Sequence, residues 1–171
     1  MLLKYFILCA ALAVFVQADA ACDASVQRDG KPTYILGNDG TIFDNDSGLT
    51  WKVCSVGQQW QPDGSCAGEA TLMNFNEAKA AAQGEWRLPN LKEWGYLVWR
   101  CIPNEKAQNY FPIRRGDLFW SSTMLYDRME ISSTKLRPSV VDYFARGPRT
   151  PGWDVKVKVL LVKGTEIPFI D

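Results

Sequence analysis

The side chains available for chemistry in this chain are carboxylates, serines and cysteines, because histidine is absent altogether. That absence removes Ser-His-Asp and Cys-His nucleophilic catalysis, His-ligated zinc and any imidazole switch near neutral pH. Asp44-Asn45-Asp46-Ser47-Gly48 places oxygen ligands at alternate positions, as a hard cation such as calcium requires. The fifth position is glycine and no glutamate closes the loop, so the segment reads as a hairpin turn. Carboxylates are plentiful, but no two stand out as the acid and base of a glycosidase. Ser121 and Ser122 have no histidine partner and no recognisable lysine motif. The pattern points away from an enzyme and toward binding, with no metal and no cofactor expected.

Three features are candidates for binding. Gln61-Pro62-Asp63 matches a sugar-binding tripeptide of calcium-dependent lectins, but the strand that completes such a site is represented only by Gly152-Trp153-Asp154-Val155. The formal charge is zero, which argues against a nucleic-acid coat. It conceals an asymmetry, however: residues 22–100 carry seven basic and ten acidic side chains, and residues 101–171 carry eleven and eight. Arg114, Arg115, Lys135, Arg137, Arg146 and Arg149, with Lys156 and Lys158, are candidates for a basic face that attracts anionic glycans, lipid headgroups or an acidic protein. Core packing accounts for most tryptophans. Trp60 and Trp153, in turn-rich segments, are the candidates for an exposed binding platform.

The elements that must position these residues follow from local pattern. With 171 residues and 47% apolar content, the chain supports one domain with a real core and a short extension. Lys4, the apolar run Tyr5–Val16 and the close Gln17-Ala18-Asp19-Ala20 describe a secretory signal peptide, with cleavage expected after Ala20. Cys22 raises lipidation as an alternative, against which stands Asp19 at the third position before it. No other segment approaches the length of a membrane span. Removal of the leader takes Cys9 and leaves four cysteines, for which an oxidising compartment predicts two disulfides. Cys54 and Cys66 enclose a turn-rich loop and are the expected local pair, which leaves Cys22 with Cys101.

Two helices have matching starts: Asn74 as cap with Glu77 three residues on, and Asn90 as cap with Glu93. Gly84 ends the first, while Leu91, Trp94, Leu97 and Val98 line one face of the second. Strands are expected at 41–44 and 49–52 around the Asn45–Gly48 turn, and again at 118–122, 140–145 and 155–162. Beyond the second helix the prolines, Pro138 among them, predict irregular chain. The class is α+β, with two helices, short antiparallel strands and long loops. The expected division is a signal peptide over 1–20, an extension over 21–37 tied by a disulfide, and the domain over 38–171.

Four ordered motifs resemble a known family. They are Gly48-Leu49-Thr50-Trp51-Lys52-Val53-Cys54 leading through Gln58-Gln59-Trp60 to Cys66; Trp86-Arg87-Leu88-Pro89-Asn90-Leu91-Lys92-Glu93; Phe119-Trp120-Ser121-Ser122; and Val159-Leu160-Leu161-Val162-Lys163. Together, over about residues 38–164, they are similar to the Lcl C-terminal domain family, named from a Legionella collagen-like adhesin. The resemblance implies a C-type-lectin-like α+β fold on exported or surface-displayed bacterial proteins, and it carries no catalytic residues. In the second motif Arg87 and Glu93 can pair, while Trp86, Leu88 and Leu91 anchor the helix, which marks a shared scaffold. Two departures matter: a strand usually containing tryptophan appears as Ser139–Gly147 without one, and Leu160 replaces an arginine of the closing strand. No collagen-like stalk sequence is present. The leading expectation is an exported, non-enzymatic module of the cell envelope, periplasmic or surface-displayed, supporting a structure such as a type IV pilus through protein contacts. The alternative is an adhesin-type module that binds anionic glycans through the basic C-terminal half.

Overall fold

The order of the elements follows the hydropathy pattern closely as far as the second helix. In the computed structural model the described residues are 34–101, 111, 113–114, 116–126, 135–142 and 147–169, with the side chains of 98–101 excepted. Strands β1 (Tyr34–Leu36), β2 (Thr41–Asp44) and β3 (Leu49–Lys52) form an antiparallel meander. β8 (Val162–Lys163) adds antiparallel to β3, so the sheet order is β1-β2-β3-β8. The Asn45–Gly48 turn is shaped by Asp44, whose carboxylate accepts from the Asp46 N–H at 2.9 Å and the Ser47 hydroxyl at 2.6 Å. Gly48 closes it at φ +71°, a conformation costly for a residue bearing Cβ. The Asp44 carboxylate is thus engaged inside the hairpin.

β4 (Gln59–Trp60) and β5 (Cys66–Ala67) make a small hairpin closed by the Cys54–Cys66 disulfide, as expected from the turn-rich loop. Its tip is Gln61-Pro62-Asp63, where Asp63 accepts from the Ser65 N–H at 2.9 Å. Helix α1 (Phe75–Ala81) starts with a complete capping box: Asn74 accepts from the Glu77 N–H, and Glu77 accepts from the Asn74 N–H. Helix α2 (Leu91–Cys101) repeats the box with Asn90 and Glu93, here buried. Both helix starts stand where the Asn-x-x-Glu spacing puts them.

β6 (Leu118–Tyr126) and β7 (Leu136–Asp142) form a second two-stranded sheet. It differs from expectation: β6 runs four residues longer, and β7 begins at Leu136 and contains Pro138. The register shifts between Ser121 and Met124, so Met124 faces Pro138 across a bulge. Proline has no N–H to donate, and a bulge lets it enter a ladder without leaving an acceptor stranded.

The cores explain how the two sheets are joined. One cluster packs α2 on the four-stranded sheet, with the rings of Trp51 and Trp94 5.6 Å apart and those of Trp94 and Phe119 5.3 Å apart. The other packs α1 on β6–β7 through Phe75, Ala78, Leu88, Trp120 and Val140. Neighbouring strand residues point to opposite faces, so β6 gives Phe119 to the first core and Trp120 to the second. The expected strand 155–162 is not a regular ladder partner. Its N–H and C=O groups are shared among Met73, Leu118, Trp120, Val56, Lys52 and Arg87, and only Val162–Lys163 is a strand. Val157, Val159 and Leu161 face the second core while Leu160 and Val162 face the first. This two-sided burial is why Val159–Val162 reads as continuously apolar.

Each fully buried tryptophan removes roughly 150–250 Å² from water, about 4–6 kcal/mol gross at 25 cal/mol/Å². Trp51, Trp94 and Trp120 are all in this class. The α+β class, the two helices and the local disulfide stand as expected. The expected leader over 1–20, Cys22 and the side chain of Cys101 lie outside the described residues, and with them the expected second disulfide. No helix among the described residues is long and apolar enough to cross a membrane.

Candidate functional site

The motif around the second helix builds a buried polar node. Arg87 donates from both terminal nitrogens to the two carboxylate oxygens of Glu93, at 2.7 Å each. Glu93 is fully buried and also accepts from the N–H groups of Asn90 (2.9 Å) and Ile167 (3.0 Å). A bidentate guanidinium with two further donors satisfies a carboxylate that would otherwise be very costly to bury. Asn90 donates through its amide to the Ile167 carbonyl at 2.7 Å and to Glu166 at 3.2 Å, while Arg87 reaches the Gly164 carbonyl at 3.3 Å. One cluster therefore caps α2 and fastens the C-terminal segment 164–167 to it. Trp86, half-buried, lies beneath two ammonium groups, Lys52 at 4.4 Å and Lys163 at 5.2 Å from its ring centre.

Beside this node is a cleft of about 400 Å³. Its walls come from α1 (Phe75, Lys79), the Arg87-Leu88 stretch, the β6 bulge (Ser122, Met124) and the tail (Glu166). The second and third sequence motifs meet there. The bulge aims its residues: the Ser122 N–H bonds the Pro89 carbonyl at 2.9 Å, and the Thr123 hydroxyl accepts from the Leu91 N–H at 3.0 Å. Ser121 is buried and accepts from the Thr123 N–H at 3.2 Å. A smaller cleft of about 240 Å³ lies between Asp39, Lys52, Gln58 and Trp60, with Cys54 of the disulfide in its lining. There the Thr41 hydroxyl, 2.6 Å away, holds the Asp39 carboxyl below its ordinary value.

The sequence-derived candidates fall into three groups. Trp86, Arg87, Leu88, Pro89, Asn90, Glu93, Phe119, Trp120 and Ser121 are buried or half-buried around the node and the two cores. The basic residues are dispersed and several face acids: Arg149 pairs with Asp142 at 3.2 Å, Lys156 with Glu77 at 3.5 Å, and Lys158 with Asp117 at 2.6 Å. Arg114 and Lys135 are exposed and Arg137 is half-buried, whereas Arg115 and Arg146 lie outside the described residues. Trp153 is exposed, as expected, with its ring edge-on to Phe75. Trp60 is not an exposed platform: it is half-buried against the first core, so close to Gly40 that a Cβ there would lie 2.6 Å from the Trp60 Cβ. No cluster of three or more metal-ligating side chains occurs among the described residues.

Lys79 and Glu166 escaped sequence reasoning. Lys79 reads as ordinary helix surface, and Glu166 reaches the cleft only because the tail docks on α2. Met124 was hidden by the bulge, while Ser122 was visible within its motif.

The motif set and its geometry agree with a comparison against family models, which finds the Lcl C-terminal domain over residues 40–155, well over half of the chain. The chain belongs to the Lcl C-terminal domain family. The matched span of the Lcl C-terminal domain includes the disulfide loop, both helices and β6–β7, while the closing segment 159–163 lies beyond it. No curated protein and no solved structure matches the chain.

Proposed function

We propose that this chain is an exported, non-enzymatic binding module of the bacterial envelope that meets a protein partner in a surface structure such as a type IV pilus. Family membership supports an adhesin-like surface module, and the leader pattern with the disulfide supports export. Two helices packed on short antiparallel strands beside a disulfide-closed loop support a C-type-lectin-like fold.

The observation carrying the choice of a protein partner is the outer face of the first sheet. Ile35 and Phe43 are register partners there, 48% and 38% exposed, while Leu36 points to the opposite side of the outermost strand. An apolar cross-strand pair displayed at a sheet edge suits a protein surface better than a hydrated polyanion. Three of the basic residues that a polyanion would use, Arg149, Lys156 and Lys158, are instead matched with Asp142, Glu77 and Asp117.

The test is photo-crosslinking from position 35 or 43 of the full chain in its own host. Crosslinks to a protein of an envelope structure, with those from position 35 lost in Phe43→Asp, are the expected result. Heparin retention at low salt that is abolished by Arg149→Glu, with no protein crosslink, would overturn this reading in favour of the glycan-binding one.

A further inference from the structure

We infer that the 400 Å³ cleft is a receptor for the C-terminal residue of a polypeptide with a large apolar side chain. Its volume lies within the roughly 300–1,000 Å³ range of sites that enclose a ligand. The lining has three parts. Phe75, Leu88 and Met124 provide an apolar floor, with a methionine able to adapt to a side chain of variable shape. Lys79, on the α1 wall, has its ammonium 5.8 Å above the Phe75 ring and pairs with no carboxylate among the described residues. Glu166, also lining the cleft, receives one hydrogen bond, from the Asn90 amide, and forms no ion pair with Lys79. The Ser122 hydroxyl has no hydrogen-bond partner among the described residues.

A cation and a carboxylate that line one apolar cleft without pairing match one arrangement of ligand groups. The terminal carboxylate meets Lys79 and the Ser122 hydroxyl, the last amide N–H is donated to Glu166, and the side chain rests on Phe75, Leu88 and Met124. Arg87 contributes little net charge, since Glu93 already neutralises it. An inorganic anion would leave the floor uncovered, and a saccharide would find few polar partners on it.

The inference rests on the binding-module reading only in that a partner supplies the terminus. The experiment titrates the full mature chain, ¹⁵N-labelled, with N-acetylphenylalanine, with its primary amide and with N-acetylalanine. Shift changes confined to Lys79, Ala82, Leu88, Ser122 and Met124 are expected with N-acetylphenylalanine. The amide should bind about two- to fivefold more weakly, the range for one partly exposed charge pair, and N-acetylalanine about tenfold more weakly for loss of the ring. Lys79→Gln, on an exposed helix face, should abolish the preference for acid over amide without changing the spectrum of the free protein. Equal binding of acid and amide, shift changes elsewhere, or no binding at millimolar probe would each overturn the assignment. Crosslinks from Ile35 and Phe43 read a different face, so a blank titration would remove this site and leave the protein-partner reading standing.

Discussion

Replacing Arg87 with methionine should be among the most damaging single changes in the domain. The variant keeps the length of the side chain but leaves the Glu93 carboxylate, fully buried, with only the Asn90 and Ile167 N–H groups as donors. Breaking a buried pair from one side costs about 3–5 kcal/mol, which at a typical urea m-value of about 1–3 kcal/mol/M moves the midpoint by more than 1 M. Glu93→Leu should also be costly, for a different reason. It frees Arg87, whose side chain is 25% exposed and can turn toward water, but it strands two backbone N–H groups at about 1–3 kcal/mol each. In the double variant the buried charge is gone and only those N–H groups remain unsatisfied. Arg87→Met/Glu93→Leu should therefore be no less stable than Arg87→Met alone, giving a coupling of several kcal/mol in a urea double-mutant cycle. A loss under about 1 kcal/mol for Arg87→Met, or losses that add within about 0.5 kcal/mol, would refute the account of the node.

Other expectations are independent of that node. Cys54→Ser/Cys66→Ser should lose about 3 kcal/mol, the chain-entropy value for a sequence separation of 12, measured by urea midpoint. Gly57→Ala should cost about 2–4 kcal/mol, because φ is +94° and the new Cβ would collide with the Thr71 hydroxyl and backbone nitrogen. Gly48→Ala, also at positive φ but with open space around it, should cost only about 1–2 kcal/mol; equal losses for the two would refute the steric argument. Burial raises the Asp44 carboxyl above its ordinary value near 3.8. Between the ordinary and the raised value the folded state binds more protons than the unfolded, so this group's contribution to stability falls as pH rises through that window. Asp44→Asn should flatten that slope in thermal melts at pH 3–7; an unchanged slope would show that Asp44 is not its source.

Legibility from sequence tracked the range of the interactions. The capping boxes at Asn74 and Asn90, the Asp44 hairpin and the Cys54 loop depend on neighbours within a dozen residues, and all four were readable. The Arg87–Glu93 pair was also readable, because six residues separate them across a helix start. Pro138 misled because propensity argues against strand, whereas the bulge at Ser121–Met124 absorbs it, and bulges leave little trace in hydropathy. The cleft was the least legible. It needs the tail to dock through Asn90 and Ile167, a contact spanning 77 residues, and no local pattern announces that. The charge asymmetry was real as arithmetic, but it did not assemble one basic face: Arg149 and Lys158 pair with acids of their own half and Lys156 pairs across the fold with Glu77.

The segment 157–162 belongs to both cores at once, and this fixes the order in which the molecule can be completed. In a chain delivered N-terminus first, the meander, the disulfide loop and both helices emerge while their shared wall is still missing. The Trp120 core lacks Val157, Val159 and Leu161, and the Trp51–Trp94 core lacks Leu160 and Val162, until that segment arrives. The domain should therefore fold late and all at once, with a rate governed by long-range closure. A nascent chain stalled before residue 157 would expose Trp51, Trp94 and Trp120 together, and in that interval a chaperone is most needed.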